Sequence, residues 1–310
     1  MRIAFMGTPD FSVACLKALV ESEHEIVGVF CQPDKPVGRK AILTPPPVKV
    51  TALENNIPVF QPDSLKNGAG TELLRELEPD LVVVVAYGKI LPKDFLDYPR
   101  YGCINIHGSI LPKYRGAAPI QRCVLDGEKY AGVTAMQMDE GLDTGDMLLI
   151  KKTEIGENET SGELFDRVAV MGAELLIETI EALEKGELKP VKQDDSKSTY
   201  ASMLDKTMCP IDWNETAQNI HNKIRGLDPW PVAHTFLEGK TLKLFSSQIS
   251  PELSGGAPGS TITLKNGLAI FCGDGKAVIV EEVQFEGKKR MKASDFLRGH
   301  PLEKDFSFNY

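Results

Sequence analysis

Short apolar runs rich in β-branched residues recur along the first half of the chain, each followed by a polar break and an apolar stripe at helical spacing. Residues 2–6 form the first run, then comes Gly7-Thr8-Pro9-Asp10, then Phe11, Ala14, Cys15, Ala18 and Leu19 at intervals that predict an amphipathic helix. The strand pattern returns at residues 25–31, 81–86 and 103–107, and again at 132–138 and 147–151. Strands that are apolar on both faces and alternate with helices predict an α/β domain with a Rossmann-like, doubly wound, mostly parallel sheet. Thr160-Ser161-Gly162-Glu163 has the spacing of a capping box, and Leu164, Val168, Met171, Leu175 and Leu183 continue a long helix that Gly186 can end.

The pattern then changes. Residues 192–199 are polar without apolar periodicity and read as a linker. A short helix near residues 213–224 and several short strands separated by Gly, Pro and Ser follow, predicting a small C-terminal β-barrel. A chain of 310 residues suits this division, with boundaries at 1–190, 191–206 and 207–310.

Composition narrows the class. With 42% hydrophobic and 25% charged residues the chain is neither disordered nor fibrous, and its longest apolar runs fall far short of the ~20 residues that span a bilayer. The N-terminus enters a strand at once, without a cleavage-site pattern, so a cytoplasmic protein with no membrane partner is expected, with a monomer as the default. Six cysteines without a C-x-x-C pair predict buried free thiols, and five histidines without zinc-ligand spacing predict no metal. The net charge of -9 opposes a protein that grips nucleic acid through bulk electrostatics. All of that excess precedes residue 205, because the remainder carries 13 basic and 13 acidic residues.

In a doubly wound sheet the residues just beyond the strand ends carry the chemistry. Here these are 7–11, 87–92 and 107–112. Period-2 alternation puts Asn105 and His107 on one face at the end of the strand at 103–107. A structural reading, in which Asn105 caps a turn and His107 satisfies a carbonyl, stays open on spacing alone. The same holds for Asp143, one of four acids in residues 139–146, which as a lone turn acid would simply be solvated. Gly7-Thr8-Pro9-Asp10 is not the G-x-G-x-x-G that approaches a pyrophosphate, which excludes a pure dinucleotide-binding oxidoreductase.

Asn105-x-His107, Ser109-x-Leu111-Pro112 and Asp143-x-Gly145 on an acidic loop together resemble the folate-dependent formyltransferase family. The resemblance implies a 1–190 catalytic domain, 10-formyltetrahydrofolate as formyl donor and co-substrate, and an amine acceptor. Asn105 and His107 would then stabilise the oxyanion, and Asp143 would orient His107 and carry protons. Folate would be held by Ser109, Ile110, Leu111 and Pro112, by backbone around Tyr87, Gly88, Ile90 and Leu91, and by the acidic loop.

Within the family, resemblance to members that formylate the methionine of initiator methionyl-tRNA extends over the whole chain. Gly7 to Phe11, Gln32 to Lys49, Ile211-Asp212-Trp213, the run from Ile224 to Pro231 and Ala257-Pro258-Gly259 carry it. It implies that Phe11, Arg39 and Lys40 face the aminoacyl-tRNA, and that residues 207–310 form an OB-like tRNA-binding domain. Gln32 to Lys49 reads as a basic loop in which Gly and Pro break regular structure. Ala41 stands where a basic residue is common, which favours Arg39 over Lys40 as the contact. Lys288, Lys289, Arg290 and Lys292 could lie on phosphates or form a solvated edge, while Trp213 and Trp230 read as core. Amino sugar nucleotides remain the alternative acceptor.

Overall fold

The computed structural model describes residues 1–38, 40–303 and 305–308. In chain order its elements are β1 (Arg2–Gly7), α1 (Asp10–Val20), β2 (Glu25–Phe30), β3 (Lys35–Val37), β4 (Ile42–Thr44), α2 (Pro47–Glu54) and β5 (Val59–Phe60). Then come α3 (Ala69–Leu77), β6 (Leu81–Val85), α4 (Lys93–Leu96), β7 (Cys103–His107), β8 (Arg115–Gly116), α5 (Pro119–Leu125), β9 (Tyr130–Gln137), β10 (Met147–Glu154) and α6 (Ser161–Glu184). The chain continues through β11 (Tyr200–Ala201), α7 (Ala217–Gly226), β12 (His234–Leu237), β13 (Lys240–Ser254), β14 (Thr261–Thr263), β15 (Leu268–Phe271), β16 (Lys276–Phe285), β17 (Met291–Lys292) and α8 (Ala293–Gly299). Internal contacts divide it into two compact units. One comprises Met1–Ala117, Ala131–Thr153 and Phe165–Ala201, the other Ala118–Tyr130, Glu154–Leu164 and Ser202–Tyr310.

The first unit is built on a seven-stranded sheet of order β10-β9-β7-β6-β1-β2-β5. β1 pairs in parallel with β2 and β6, and β6 with β7, whereas β9 runs antiparallel to β7. The mostly parallel sheet expected from the apolar runs is therefore present. The unbroken Leu-Val-Val-Val-Val of β6 is buried at all five positions, as its place between β1 and β7 demands. Chain order reverses around β1, whose neighbours are β2 and β6, so the carboxyl ends of β1, β6 and β7 open together at a switch point. The register matches Gly7 with Val85 and Val84 with Asn105, bringing the segments after these strands side by side.

The capping box forms as read. Thr160 donates its backbone N–H to Glu163 at 2.9 Å, and the Thr160 hydroxyl accepts from Glu163 N–H at 3.2 Å. The Thr160 backbone N–H, and then its hydroxyl, hold the Glu163 carboxyl below the usual carboxylate range. A folded-state value below the unfolded one adds stability that is present above the unfolded pKa and is lost as pH falls through the lowered folded value. Thr160→Ala is expected to cost about 1 kcal/mol at neutral pH. It should also flatten the acid limb of the melting-temperature profile, with unchanged acid sensitivity in thermal melts counting against the linkage.

All six cysteines are free and buried, as expected from their spacing. Burial pushes the thiol of Cys15 up to about 12.

Several expectations are corrected. Residues 32–49 are not devoid of regular structure: β3 and β4 pair antiparallel, Lys35 opposite Thr44 and Val37 opposite Ile42, and Pro47 opens α2. Both strands of this ribbon are edges, so the missing N–H of Pro36 costs little. Lys49, counted with the loop's basic residues, is on α2 and donates to Asp34 at 2.8 Å and to Gln61 at 2.8 Å. Trp230 is 55% exposed rather than core. The chain turns there, with Val232 N–H donating to Leu227 O, and Val232 is the residue buried instead.

The second unit contains the antiparallel sheet expected of an OB-like domain, in the order β12-β13-β16-β15-β14, with β17 also on β16. Trp213 is core as expected, stacking on Phe308 with centroids 6.0 Å apart and donating to Thr235. The helix expected near residue 213 begins later, at Ala217, where the Thr216 hydroxyl caps Asn219 N–H. Lys288, Lys289 and Lys292 are exposed. Arg290 is engaged locally, bonded to Glu282 and lying 4.0 Å from the centroid of the Phe245 ring.

Candidate active site

β7 is buried at all five positions and delivers Asn105 and His107 to one face. Asp143 meets them there. Asn105 Nδ2 donates to Asp143 Oδ1 over a long 3.4 Å, and His107 Nδ1 lies 3.7 Å from the same oxygen. The local reading of His107 is half right, because its Nε2 lies 2.8 Å from the backbone carbonyl of Tyr114. A carbonyl only accepts, so Nε2 keeps its proton and Nδ1 is the ring nitrogen left for exchange.

Asp143 is fixed from several sides. Its Oδ2 accepts from the backbone N–H of Gly116 at 2.8 Å, and its own carbonyl accepts from Gln193 Nε2 at 2.8 Å. Gln193 bonds Gly145 O as well, and its Oε1 accepts from Arg115. Asp143 has φ of 53°, a left-handed conformation that costs a non-glycine residue energy and persists only where its surroundings dictate it. Gly145 has no room for a side chain, since a Cβ there would fall 1.7 Å from the carbonyl oxygen of Gln137. Asp139, Glu140 and Asp146 of the same loop are exposed, so three of its four acids are ordinary surface charges.

Gln193 and Gly116 were missed by sequence reasoning. Gln193 sits in the polar stretch without periodicity, where no local signal distinguishes a buried anchor from a solvated side chain. It is 6% exposed.

The turn after β7 is closed internally. Ser109 donates its hydroxyl to Lys113 O at 2.7 Å, while the Thr134 hydroxyl donates to Ser109 O and accepts from Leu111 N–H. Leu111 is buried, while Ile110 and Pro112 are half-buried. On the β6 side, Tyr87 O accepts from the Thr8 hydroxyl and from Gln32 Nε2. Tyr87 and Leu91 are buried, Gly88 has φ of 84°, and Ile90 is exposed. The Tyr87 hydroxyl is buried without a hydrogen-bond partner among the described residues, and burial pushes it up to about 12. A cavity of about 560 Å³ borders the start of the acidic loop, lined in part by Leu96, Arg100, Tyr101, Met138 and Asp139.

The expected acceptor contacts are more scattered. Phe11 is buried on α1 with its ring 5.4 Å from that of Phe165. Lys40 is exposed, and Arg39 lies outside the described residues. Among the described residues no group of three or more His, Cys, Asp or Glu is placed to hold a metal, and no helix is long and apolar enough to cross a membrane.

Residues 1–180 match the family model described as formyl transferase, and residues 203–301 match that of the formyl transferase C-terminal domain. A methionyl-tRNA formyltransferase of Clostridium novyi is 51% identical over 305 residues, 98% of each chain. One from Lachnospira eligens is 50% identical over 309 residues, again 98% of each. Among solved structures, an N-formyltransferase from Helicobacter canadensis superposes with a TM-score of 0.70 at 21% identity, covering 90% of this chain and 98% of its own. On the two family models and on relatives about half identical over nearly the full length, the chain belongs to the formyl transferase family.

Proposed function

We propose that the protein transfers the formyl group of 10-formyltetrahydrofolate to the α-amino group of methionine on initiator methionyl-tRNA, in the cytoplasm, for translation initiation. The observation that carries this reading is identity of about one half along 98% of the chain to relatives bearing that name. Likeness to the N-formyltransferase superposed above concerns the fold alone, since identity there is 21%.

The geometry supports a division of labour among three side chains. As the amine attacks, a C–N bond forms and the formyl oxygen takes up the carbonyl electron pair. Asn105 Nδ2–H and a protonated His107 Nδ1 are the donors placed to hold that charge, and removing one such donor typically costs ~3 kcal/mol of transition-state stabilisation. Asp143 accepts the proton that the amine loses; the oxyanion re-forms the carbonyl as the formyl C–N10 bond breaks, and Asp143 returns the proton, directly or through water, to the departing folate N10. Its carboxylate is shared between Asn105, His107 and Gly116, which supports that role.

Folate recognition falls to backbone. The Ser109 hydroxyl donates to Lys113 O and Tyr87 is in the core, so the turn at Ser109 to Pro112, the segment from Tyr87 to Leu91 and the acidic loop would act through peptide groups other than Ser109 O, Leu111 N–H and Tyr87 O, which are bonded within the fold.

On the tRNA side, Arg39 and Lys40 lie in sequence between β3 and β4, whose ribbon carries exposed Lys35, Val37, Ile42 and Leu43. Phe11, buried against Phe165, would act from beneath by shaping the floor on which methionine lies. Lys288, Lys289 and Lys292 offer phosphate contacts on the C-terminal domain. Arg39→Ala is expected to raise KM for tRNA much more than KM for folate. Equal changes in the two constants would make the ribbon a structural element.

Purified protein given 10-formyltetrahydrofolate and charged initiator tRNA is expected to yield formyl-methionyl-tRNA. Parallel reactions with amino sugar nucleotides and with glycinamide ribonucleotide should yield nothing. Absence of formyl-methionine on the tRNA would sink the assignment.

A further inference from the structure

A large aromatic ring stands exposed beside the candidate site and has no part in the chemistry described so far. Tyr200 is 67% exposed, yet the backbone around it is tightly held. β11 pairs in parallel with β8, setting Tyr200 opposite Arg115 and Ala201 opposite Gly116. Arg115 N–H donates to Thr199 O and Ala117 N–H to Ala201 O, each at 2.9 Å, and Tyr114 N–H donates to the Thr199 hydroxyl at 2.8 Å. Ala201, next in the chain, is fully buried.

The ring lies on Gly116. A Cβ at that position would fall 2.7 Å from Tyr200 Cε2 and 2.9 Å from Ala201 O, so only glycine allows the ring to sit there. Gly116 also has φ of 113°, which favours glycine independently. Its N–H is the group that holds Asp143 Oδ2 at 2.8 Å. One glycine therefore joins an exposed aromatic surface to the carboxylate that manages protons.

Such a surface has a definite use if the acceptor is an aminoacyl-tRNA. The amino acid is esterified to the terminal ribose, so when its amine reaches Asp143 the terminal base is one nucleotide's length away. That base is unpaired, and its flat face stacks on aromatic side chains whatever its hydrogen-bonding edges do. We propose that Tyr200 is the platform on which the 3′-terminal adenine of the acceptor stacks, positioning the methionyl ester for attack at Asp143. The proposal rests on the methionyl-tRNA reading above. Tyr200 is a positioning residue, since it supplies no proton and touches no reacting atom.

The test compares the wild-type protein with Tyr200→Phe and Tyr200→Leu, using charged initiator tRNA and 10-formyltetrahydrofolate. Formylation by the wild type checks the parent reading by itself, and its absence would overturn both. Tyr200→Phe keeps the flat face and should leave KM for tRNA unchanged. Tyr200→Leu still covers Gly116 but removes the ring, and should raise KM for tRNA about tenfold, equivalent to ~1.4 kcal/mol. Its kcat and its KM for formyl-folate should stay as in the wild type. A tRNA with 2-aminopurine as its terminal base should be quenched on binding the wild type and Tyr200→Phe, but not Tyr200→Leu. An active wild type with no KM change in Tyr200→Leu, or no quenching by the wild type, would overturn this inference alone. A fall in kcat with unchanged KM would reduce Tyr200 to a cover for Gly116.

Discussion

Replacing Asp143 by alanine is expected to lower kcat at least ~100-fold, the scale of a lost proton-transfer group. Two separable roles meet in this carboxylate. It is a structural acceptor, taking the Gly116 N–H at 2.8 Å and a longer bond from Asn105. It is also the only acidic side chain of its loop drawn inward beside His107. Asp143→Asn separates the roles, because the amide oxygen still accepts from Gly116 while the negative charge and the ability to carry a proton are gone. We expect Asp143→Asn to be nearly as slow as Asp143→Ala and to melt closer to the wild type. Near-normal steady-state turnover in Asp143→Ala would remove the residue from the mechanism. A slow alanine variant paired with a fast Asp143→Asn would make the loop geometry, rather than the charge, the important quantity.

Asn105→Ala should be comparably damaging for a different reason. In the structure its Nδ2 makes a 3.4 Å contact with Asp143, a weak bond for a side chain that is only 8% exposed. A donor placed so loosely loses little by turning to an oxygen that becomes negative only during attack. Interactions made only in the transition state appear in kcat and leave KM almost untouched. The expected result is a loss of ~100-fold or more in kcat, matching removal of one oxyanion donor, with KM for both substrates near the wild-type values. A rise in KM for formyl-folate at unchanged kcat would instead make Asn105 a ground-state contact. His107 is tested on the same footing, with Nε2 anchored on Tyr114 O and Nδ1 facing the site.

Much of this architecture could be read along the chain. The β-branched runs gave the strands of the parallel sheet, because a strand covered on both faces has to be apolar at every position. The Thr160 to Glu163 box and the six buried thiols were legible for similarly local reasons. So was the shared face of Asn105 and His107, which follows from period 2 alone. The ribbon at Lys35–Val37 and Ile42–Thr44 was hidden, since three-residue strands exposed throughout carry no burial pattern. Trp230 misled because its large apolar ring suggests burial, whereas the turn that closes on Leu227 buries Val232.

The sequence by itself determined most of the elements, the shared face of Asn105 and His107 and, through motifs spread along the chain, the family, and that resemblance singled out Asp143 as well. Only the tertiary structure shows what sets Asp143 physically apart from the other three acids of its loop. Asp139-x-Gly141 repeats the spacing of Asp143-x-Gly145, so local spacing alone does not choose between these two acids. Asp143 is set apart by a backbone N–H from Gly116, 27 residues earlier, and by a side-chain amide from Gln193, 50 residues later. Those bonds hold a left-handed residue in place and aim its carboxylate at His107. Long-range hydrogen bonds of this kind depend on where the chain returns in space, and local periodicity carries no trace of them.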